Sequence, residues 1–458
     1  MLDISNVYKQ KIIHELIENR LEIVFLKKYD EQYEGSYELG YTPITEENIV
    51  SESMVLKQSI CDEEKLKFGG CIASEFNIQL LNTAERSFDE VKLKDQWIVV
   101  ALYQKHPTGQ PLVCSPKTIC GTNVFPGEIV TETKWILFAG YIDSARRSQE
   151  DRNVYEIVAY DLLSKLYEKG IRGKLRKKMK AGKSTCSELL PLCLSDGFYE
   201  SDEFRPVGLL RNYDWEKDRD PITKGELLAN ICEVNGGFGF FRPSEYRLKL
   251  IKINKGETID EIYDFYESLK VEETTAKTYN QILFPYGGDV YKEAVSETNP
   301  GGNRTALFSE SYTNGFLSEE DDDFNLDNID YYDMSDNKLA WDCSHESSTQ
   351  NHLIRIKGIS DVITGVDYGL TNTNNQLKTE YVPFQAVVDG RPWVEVGDSI
   401  CFKTPRTNIY GEWLKEDGTI TEDISEVAFE HIVSIVMSRT LKGIKALTDE
   451  IEAKGEVA

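Results

Sequence analysis

The chain has 458 residues, too many for one hydrophobic core, and at roughly 100 to 200 residues per domain it predicts three or four domains. Hydrophobic residues at 40% and aromatics at 11% suffice for ordinary globular packing and exclude a disordered chain. The net charge of −26, from 78 acidic against 52 basic residues, excludes a general nucleic-acid surface, which needs positive potential.

The amino-terminal MLDISNVYKQKIIHELIENR lacks an apolar signal core, and no apolar run in the chain approaches the length of a membrane span. Neither export by its own signal nor membrane insertion is expected. Residues 1–20 read as helical or irregular, and Leu21–Lys28 as a first strand, with Leu21, Val24 and Leu26 among its apolar positions. Val50–Ser59 and Ala73–Asn82 read as further strands, separated by a polar turn and Phe68-Gly69-Gly70, and Trp97–Tyr103 as another. Lys105–Thr133, rich in Pro, Gly, Thr and Cys, exceeds ordinary connection lengths and is expected to be an insertion, a hairpin reaching a partner subunit.

Trp135–Leu166 is the firmest stretch. Trp135, Leu137, Ala139, Tyr141 and Asp143 alternate with Ile136, Phe138, Gly140 and Ile142, so this strand is apolar on both faces and belongs inside a sheet. Gly140 implies a close backbone approach or a bulge. The polar run Ser144–Asn153 supplies a reversal, and Val154, Ile157 and Val158 resume the strand. Asp161 is placed to cap a helix with Leu162, Leu163 and Leu166 on its apolar face, ended by Gly170.

Lys169–Lys183 holds eight basic residues and no acidic one. Without interleaved aromatics it reads as a solvated linker or a contact to an acidic neighbour. Gly182-Lys183-Ser184 is no phosphate loop, because Lys177 stands where that motif needs glycine. Ser187–Leu194 and Gly225–Val234 are predicted helices. The second runs through Asn235-Gly236-Gly237 into GFGFFR and YRLKLIKI, making an α+β unit over about 184–255.

Val271–Tyr286 begins a second set of strands, with YNQILFPYGG the clearest. Glu319–Asp336 carries nine acidic and no basic residues. Asp323, Asn325 and Asp327 open like a calcium loop, but Asn328 and Met334 occupy its glycine and glutamate positions, so a solvated loop is expected. His352–Gly369 is strand and turn material assigned to a small inserted domain. Tyr381–Thr404 resumes the strands, and in WVEVGDSI Gly397 is free to take positive φ in a tight turn. Ala428–Arg439 reads as the last strand and Leu441–Lys454 as a terminal helix.

Nine cysteines, at 61, 71, 114, 120, 186, 193, 232, 343 and 401, form no CxxC pair, and Cys343 and His345 have no second ligand pair at zinc spacing. They read as reduced, mostly buried thiols, with Cys114 and Cys120 expected unpaired in a reducing compartment. The five histidines, His14, His106, His345, His352 and His431, stand in no nucleophile, zinc or dinucleotide motif. No catalytic residue, cofactor or metal ligand is assigned.

Several of these stretches carry a resemblance. FAGYIDSARRS followed by VYEIVAYDLLSKL, and LKFGGCIASEFNIQLLN upstream, resemble the first domain of bacteriophage tail hub proteins, in which a β-barrel ends in a strand leading into an AYD helix start. The helix, glycine turn and hairpin of 184–255 resemble that family's second domain, and WVEVGDSI its second barrel. The resemblance covers nearly the whole chain in order.

It implies a β-rich α+β chain: a first β-barrel over 1–168, an α+β domain over 169–264, a second, related barrel over 265–300 and 380–440, an inserted small domain over 301–379 and a helix over 441–458. It further implies a structural baseplate or tail-tip hub, a homotrimer joining a six-fold tail tube to a three-fold spike or tip around a central channel, which the net charge of −26 predicts to be acidic. Its partners would be the tail tube or distal tail protein, a spike or tip protein, the tape-measure protein and baseplate wedge proteins, with DNA only in passage. Its place would be the tail of a virion or bacteriocin particle, after assembly in the bacterial cytoplasm. The family's type VI secretion relatives carry a carboxyl-terminal β-helix needle and others append a lytic domain. Neither is seen in this sequence, so any spike is expected to be another chain. The rival readings are a cell-wall hydrolase and a carbohydrate-binding adhesin.

Overall fold

Period-two alternation governs most of the strands. The computed structural model describes residues 18–26, 43–60, 65–66, 70–83, 88, 93–94, 96–111, 128–175, 184–195, 197–200, 204, 208–209, 223–234, 237–251, 259–264, 266–271, 281–284, 305–307, 340–342, 382–408, 410–453 and 456–457, and all that follows concerns these. Strands β1 (Glu18–Leu26), β2 (Val55–Ser59), β3 (Lys65–Leu66), β4 (Glu75–Leu81), β5 (Trp97–Pro111), β6 (Glu128–Arg147) and β7 (Val154–Tyr160) precede helix α1 (Leu162–Tyr167). β4 and β7 each bury every second residue, which puts Phe76, Ile78 and Leu80 of one and Tyr155, Ile157 and Ala159 of the other on the core side.

β6 is two strands in one. Its first part, Glu128–Tyr141, pairs β5, and its last part, Tyr141–Arg147, pairs β7. A bulge between Ile142 and Ser144 lies beside the crossover. Gly140 permits it, because a Cβ there would stand 2.2 Å from the carbonyl oxygen of Tyr160. Of the expected Lys105–Thr133 insertion, residues 105–111 belong to β5 and 128–133 to β6, paired antiparallel, and 112–127 lie outside the described residues. The reversal after β6 shortens to Ser148–Asn153.

The middle of the chain holds β8 (Ser184–Thr185), α2 (Cys186–Cys193), β9 (Gly208–Leu209), α3 (Lys224–Val234) and the hairpin β10 (Phe238–Arg242) and β11 (Arg247–Ile251). Leu189 and Leu190 of α2, Leu227, Leu228 and Ile231 of α3, and Phe238 and Phe240 of β10 are all buried in one core. The helices and hairpin expected from their apolar spacing stand within two residues of their predicted places.

Then come β12 (Glu261–Tyr263), β13 (Ser268–Val271), β14 (Gln281–Phe284), β15 (Thr305–Leu307), β16 (Ala340–Asp342), β17 (Phe384–Asp389), β18 (Ser399–Pro405), β19 (Phe429–Ile435), β20 (Ser438–Lys442), β21 (Thr448–Ala453) and β22 (Glu456–Val457). The predicted carboxyl-terminal helix over 441–458 is corrected: this segment is the end of β20, a turn, β21 and β22. Leu441, Ile444, Leu447 and Ile451 have helical spacing, but Gly443 takes φ +85° and turns the chain into a hairpin in which Ile451 and Ala453 face the core. WVEVGDSI is also less regular than expected. Residues 391–398 form successive turns, and strand β18 starts only at Ser399.

A ten-stranded sheet in the order β1-β5-β6-β7-β4-β2-β20-β21-β17-β13 takes strands from both ends of the chain. The same chain order recurs in it. β6, β7, β4 and β2 lie side by side, and next to them β20, β21, β17 and β13, in each case a hairpin followed by two earlier strands in reverse chain order. All neighbours are antiparallel, so each strand also runs in the direction of its counterpart. Outside this run, the β5–β6 hairpin has a counterpart in the β18–β19 hairpin, since β19 leads into β20 as the first part of β6 leads into its last. Each half packs an aromatic pair between β4 or β17 and the layer behind it: Phe76 on Phe138 at 5.2 Å, and Phe384 on Phe402 at 4.9 Å.

Candidate functional site

Alternation leaves the other face of the run from β6 to β13 open. Across it lie Ser144 and Arg146 on β6, Glu156, Val158 and Tyr160 on β7, Glu75, Asn77 and Gln79 on β4, Val55, Lys57 and Ser59 on β2, Ser438, Thr440 and Lys442 on β20, Glu450 and Glu452 on β21, Gln385 and Val387 on β17, and Ser268 and Lys270 on β13. Each register row places these side chains beside one another. The result is one polar surface continuous across both halves.

Its charges are mixed. Lys57 meets Glu75 at 3.0 Å, and Lys442 pairs with Glu450 across the next strand boundary but one. Burial tends to raise the Glu75 carboxyl, but hydrogen bonds from Asn77 and Lys57, together with the Lys57 charge, bring it below its ordinary value. The acidity of the chain is thus not concentrated on this surface, where carboxylates and cations alternate as cross-strand pairs.

Polar groups, most of them buried, fix how the two halves meet behind that face. Trp135 donates its indole N–H to Gln104 at 2.9 Å, Gln104 donates to Asn19 at 3.0 Å, and Asn19 donates to the carbonyl of Lys445 at 3.2 Å. The carboxylate of Glu52 accepts from the N–H of Ile444 at 2.8 Å and of Lys445 at 3.2 Å, holding the β20–β21 turn against the first half. Trp393 is fully buried, with its ring centroid 5.8 Å from that of Trp135, and donates to Glu261 at 2.6 Å. Arg391 reaches the same carboxylate at 2.7 Å and lies 4.0 Å over the Tyr263 ring. Arg439 grips Asp449 with two nitrogens and donates to the carbonyls of Val394 and Arg391.

WVEVGDSI is the node of this network. Beside Trp393, Glu395 pairs with Arg242 of β10 at 2.7 Å, and Gly397, at φ +93°, passes against Ile251 of β11 where a Cβ would stand 2.4 Å from that side chain. One short segment therefore touches the first half, the second half and the α+β unit.

Asp161 caps α1 as its position predicts, accepting from the N–H of Leu163 at 2.9 Å and also from Ser74 at 2.8 Å. Burial pushes this carboxyl up to about 7, while those N–H groups pull it back. A carboxyl raised above its unfolded value of about 3.9 holds its proton more tightly when folded, so its contribution to stability is complete at low pH and is lost as pH rises through about 7. In urea unfolding between pH 5 and pH 7.5, the native chain is expected to lose more stability than Asp161→Asn, whose amide does not titrate. Equal losses in the two would refute this.

Cys71, Cys193, Cys232 and Cys401 are buried thiols outside any disulfide, and burial pushes those of Cys193 and Cys401 up. His431 lies on β19, and His106 falls in β5. His14, His345, His352, the run 319–336, Cys343 and residues 176–183 of the basic stretch lie outside the described residues. Among the described residues no group of three or more His, Cys, Asp or Glu side chains is placed to hold a metal ion, and no helix is long and apolar enough to cross a membrane.

The sequence matches no known family model and no curated protein. Solved structures do match. A tail protein from Neisseria meningitidis MC58 is 9% identical, with a TM-score of 0.45 over 96% of this chain and 99% of that one. The 43 kDa tail protein of prophage MuSo2 from Shewanella oneidensis is 10% identical, with a TM-score of 0.43 over 94% and 97%. An Escherichia coli component of the type VI secretion system, described as structurally similar to T4 bacteriophage tail proteins, is 6% identical, with a TM-score of 0.36 over 88% and 73%. The structures this chain resembles are phage tail and baseplate proteins and their secretion-system relatives.

Proposed function

We propose that the chain is the structural hub of a phage or phage-like tail baseplate or tail tip, three copies of which surround a channel and join a six-fold tail tube to a three-fold spike or tip. The observation that carries this reading is the repeated strand unit. Because counterpart strands of the two halves run in the same directions within one sheet, the step from one half to the other is a rotation about an axis along the strands. In this reading the step is one sixth of a turn, so that two units per chain in three chains make six, the number a six-fold tube presents. In this reading the two units are the related barrels, with the α+β domain attached outside the ring.

The buried face of the sheet is committed to the core, so the open polar face is the one that lines the channel. With eight strands per copy at a spacing of about 4.8 Å, the ring is about 37 Å across its backbone, or wider if the strands tilt. Paired charges on the wall give a hydrated surface with little net attraction for DNA or for a tape-measure protein in passage. This wall, and not a strongly acidic one, is the form the channel takes. Tube or distal tail protein, spike or tip protein and baseplate wedge proteins would dock on the rims and the outside.

The reading has no catalytic step in it. Light scattering on the purified chain is expected to give about 157 kDa, three times the 52.3 kDa of one copy. A monomer or an even-numbered oligomer across the micromolar range would contradict it.

A further inference from the structure

Among the described residues the strand run has two open edges, and the junction inside the chain shows what each fits. Among these residues β13 pairs only with β17, and Ser144, Ala145 and Arg146 of β6 pair only with β7, since the β5 partnership ends at Tyr141. Within the chain the corresponding edges, β2 and β20, are already joined, antiparallel, with Lys57 opposite Thr440, Leu56 opposite Leu441 and Val55 opposite Lys442.

The two units can be superposed through their own registers. Lys57 shares a row with Glu75, Tyr160 and Tyr141, and Lys270 shares one with Gln385, Glu452 and Ser438. With these rows matched, β2 and β13 begin at the same point, and the ends of β4 and β7 nearest this row fall within one residue of those of β17 and β21. The counterparts of Thr440 and Lys442 are then Ser144 and Arg146.

We infer that β13 of one copy pairs antiparallel with the end of β6 of the next, in the register Lys270 opposite Ser144, Leu269 opposite Ala145 and Ser268 opposite Arg146. The residue types repeat the internal junction: a lysine against a small hydroxyl side chain, leucine against an apolar side chain on the core face, and a small residue against a cation. Lys270 is the kind of residue that guards an exposed strand edge against promiscuous pairing. Its counterpart Lys57 sits in a formed junction, so a lysine at this place is compatible with pairing. The inference rests on the ring reading above, and it adds which surfaces meet and in what register.

The test is disulfide trapping in the full chain carrying Lys270→Cys and Ser144→Cys. Directly opposed residues of antiparallel strands have Cα atoms about 4.5 to 5.5 Å apart, within reach of a disulfide. Lys57→Cys with Thr440→Cys serves as the internal standard and should close within one chain. Mild oxidation of the double variant is expected to give covalent dimers and trimers on a non-reducing gel, with neither single variant doing so. A trimer by light scattering that yields no such ladder, or that cross-links Lys270→Cys to Arg146→Cys instead, overturns the register and leaves the ring standing. A monomer under the same conditions overturns both.

Discussion

Replacing Asp449 with alanine is expected to lower stability by about 3–5 kcal/mol, because it strands the Arg439 guanidinium, itself 3% exposed, without its counter-charge. Burial pushes the Asp449 carboxyl up and Arg439 pulls it back, so the pair persists only as a pair. A loss of this size is a large part of what holds a domain folded. It would also loosen the carbonyls of Val394 and Arg391, which Arg439 ties down, and with them the turn that carries Trp393. The check is urea unfolding of Asp449→Ala beside the double variant Arg439→Met, Asp449→Leu. The double variant removes both charges at once and is expected to recover part of the loss, the carbonyls of Val394 and Arg391 then lacking their donor. A single variant as stable as the native chain would mean that the pair is dispensable.

Trp393→Ala is expected to cost a similar amount, about 3–5 kcal/mol, for a different reason. The side chain is fully buried between Trp135 and Glu261, so alanine leaves a cavity and also removes the indole N–H from a buried carboxylate. Because Trp393 joins the halves, unfolding of the variant should no longer be one transition: the strands before α1 and those after β17 are expected to melt apart. Trp393→Phe keeps most of the volume and loses only the hydrogen bond, and its cost should be smaller by at least half. Two variants equally destabilised would indicate that packing at this position adds nothing beyond the Glu261 bond.

Local features were legible in the sequence. Asp161 followed by Leu162 and Leu163 has one ready physical meaning, a helix cap, and the structure has it. Gly140 and Gly397 announced close approach and positive φ, and both occur. What stayed hidden was relational. Arg391 and Glu261 lie 130 positions apart, and period-two alternation says which face a residue takes but not which strand it faces. The repeat was equally hard to see. Counterparts Leu56 and Leu269, or Lys57 and Lys270, agree, but Tyr160 stands against Glu452, because an open polar face constrains polarity and little else. The terminal segment misled through its own spacing. Leu441, Ile444, Leu447 and Ile451 suit a helix and also suit a hairpin once Gly443 turns the chain.

The surface that matters most was therefore the least visible, since it is assembled from strands over 300 residues apart, β2 at Val55 and β20 at Lys442. A three-dimensional reconstruction of the assembled oligomer by electron cryomicroscopy tests the central claim most directly. The account predicts three copies about a central channel, its wall a continuous β-sheet with Lys57, Lys270 and Glu450 facing the lumen. An assembly whose lumen is lined by some other surface, or in which this face is buried against another protein, would contradict it.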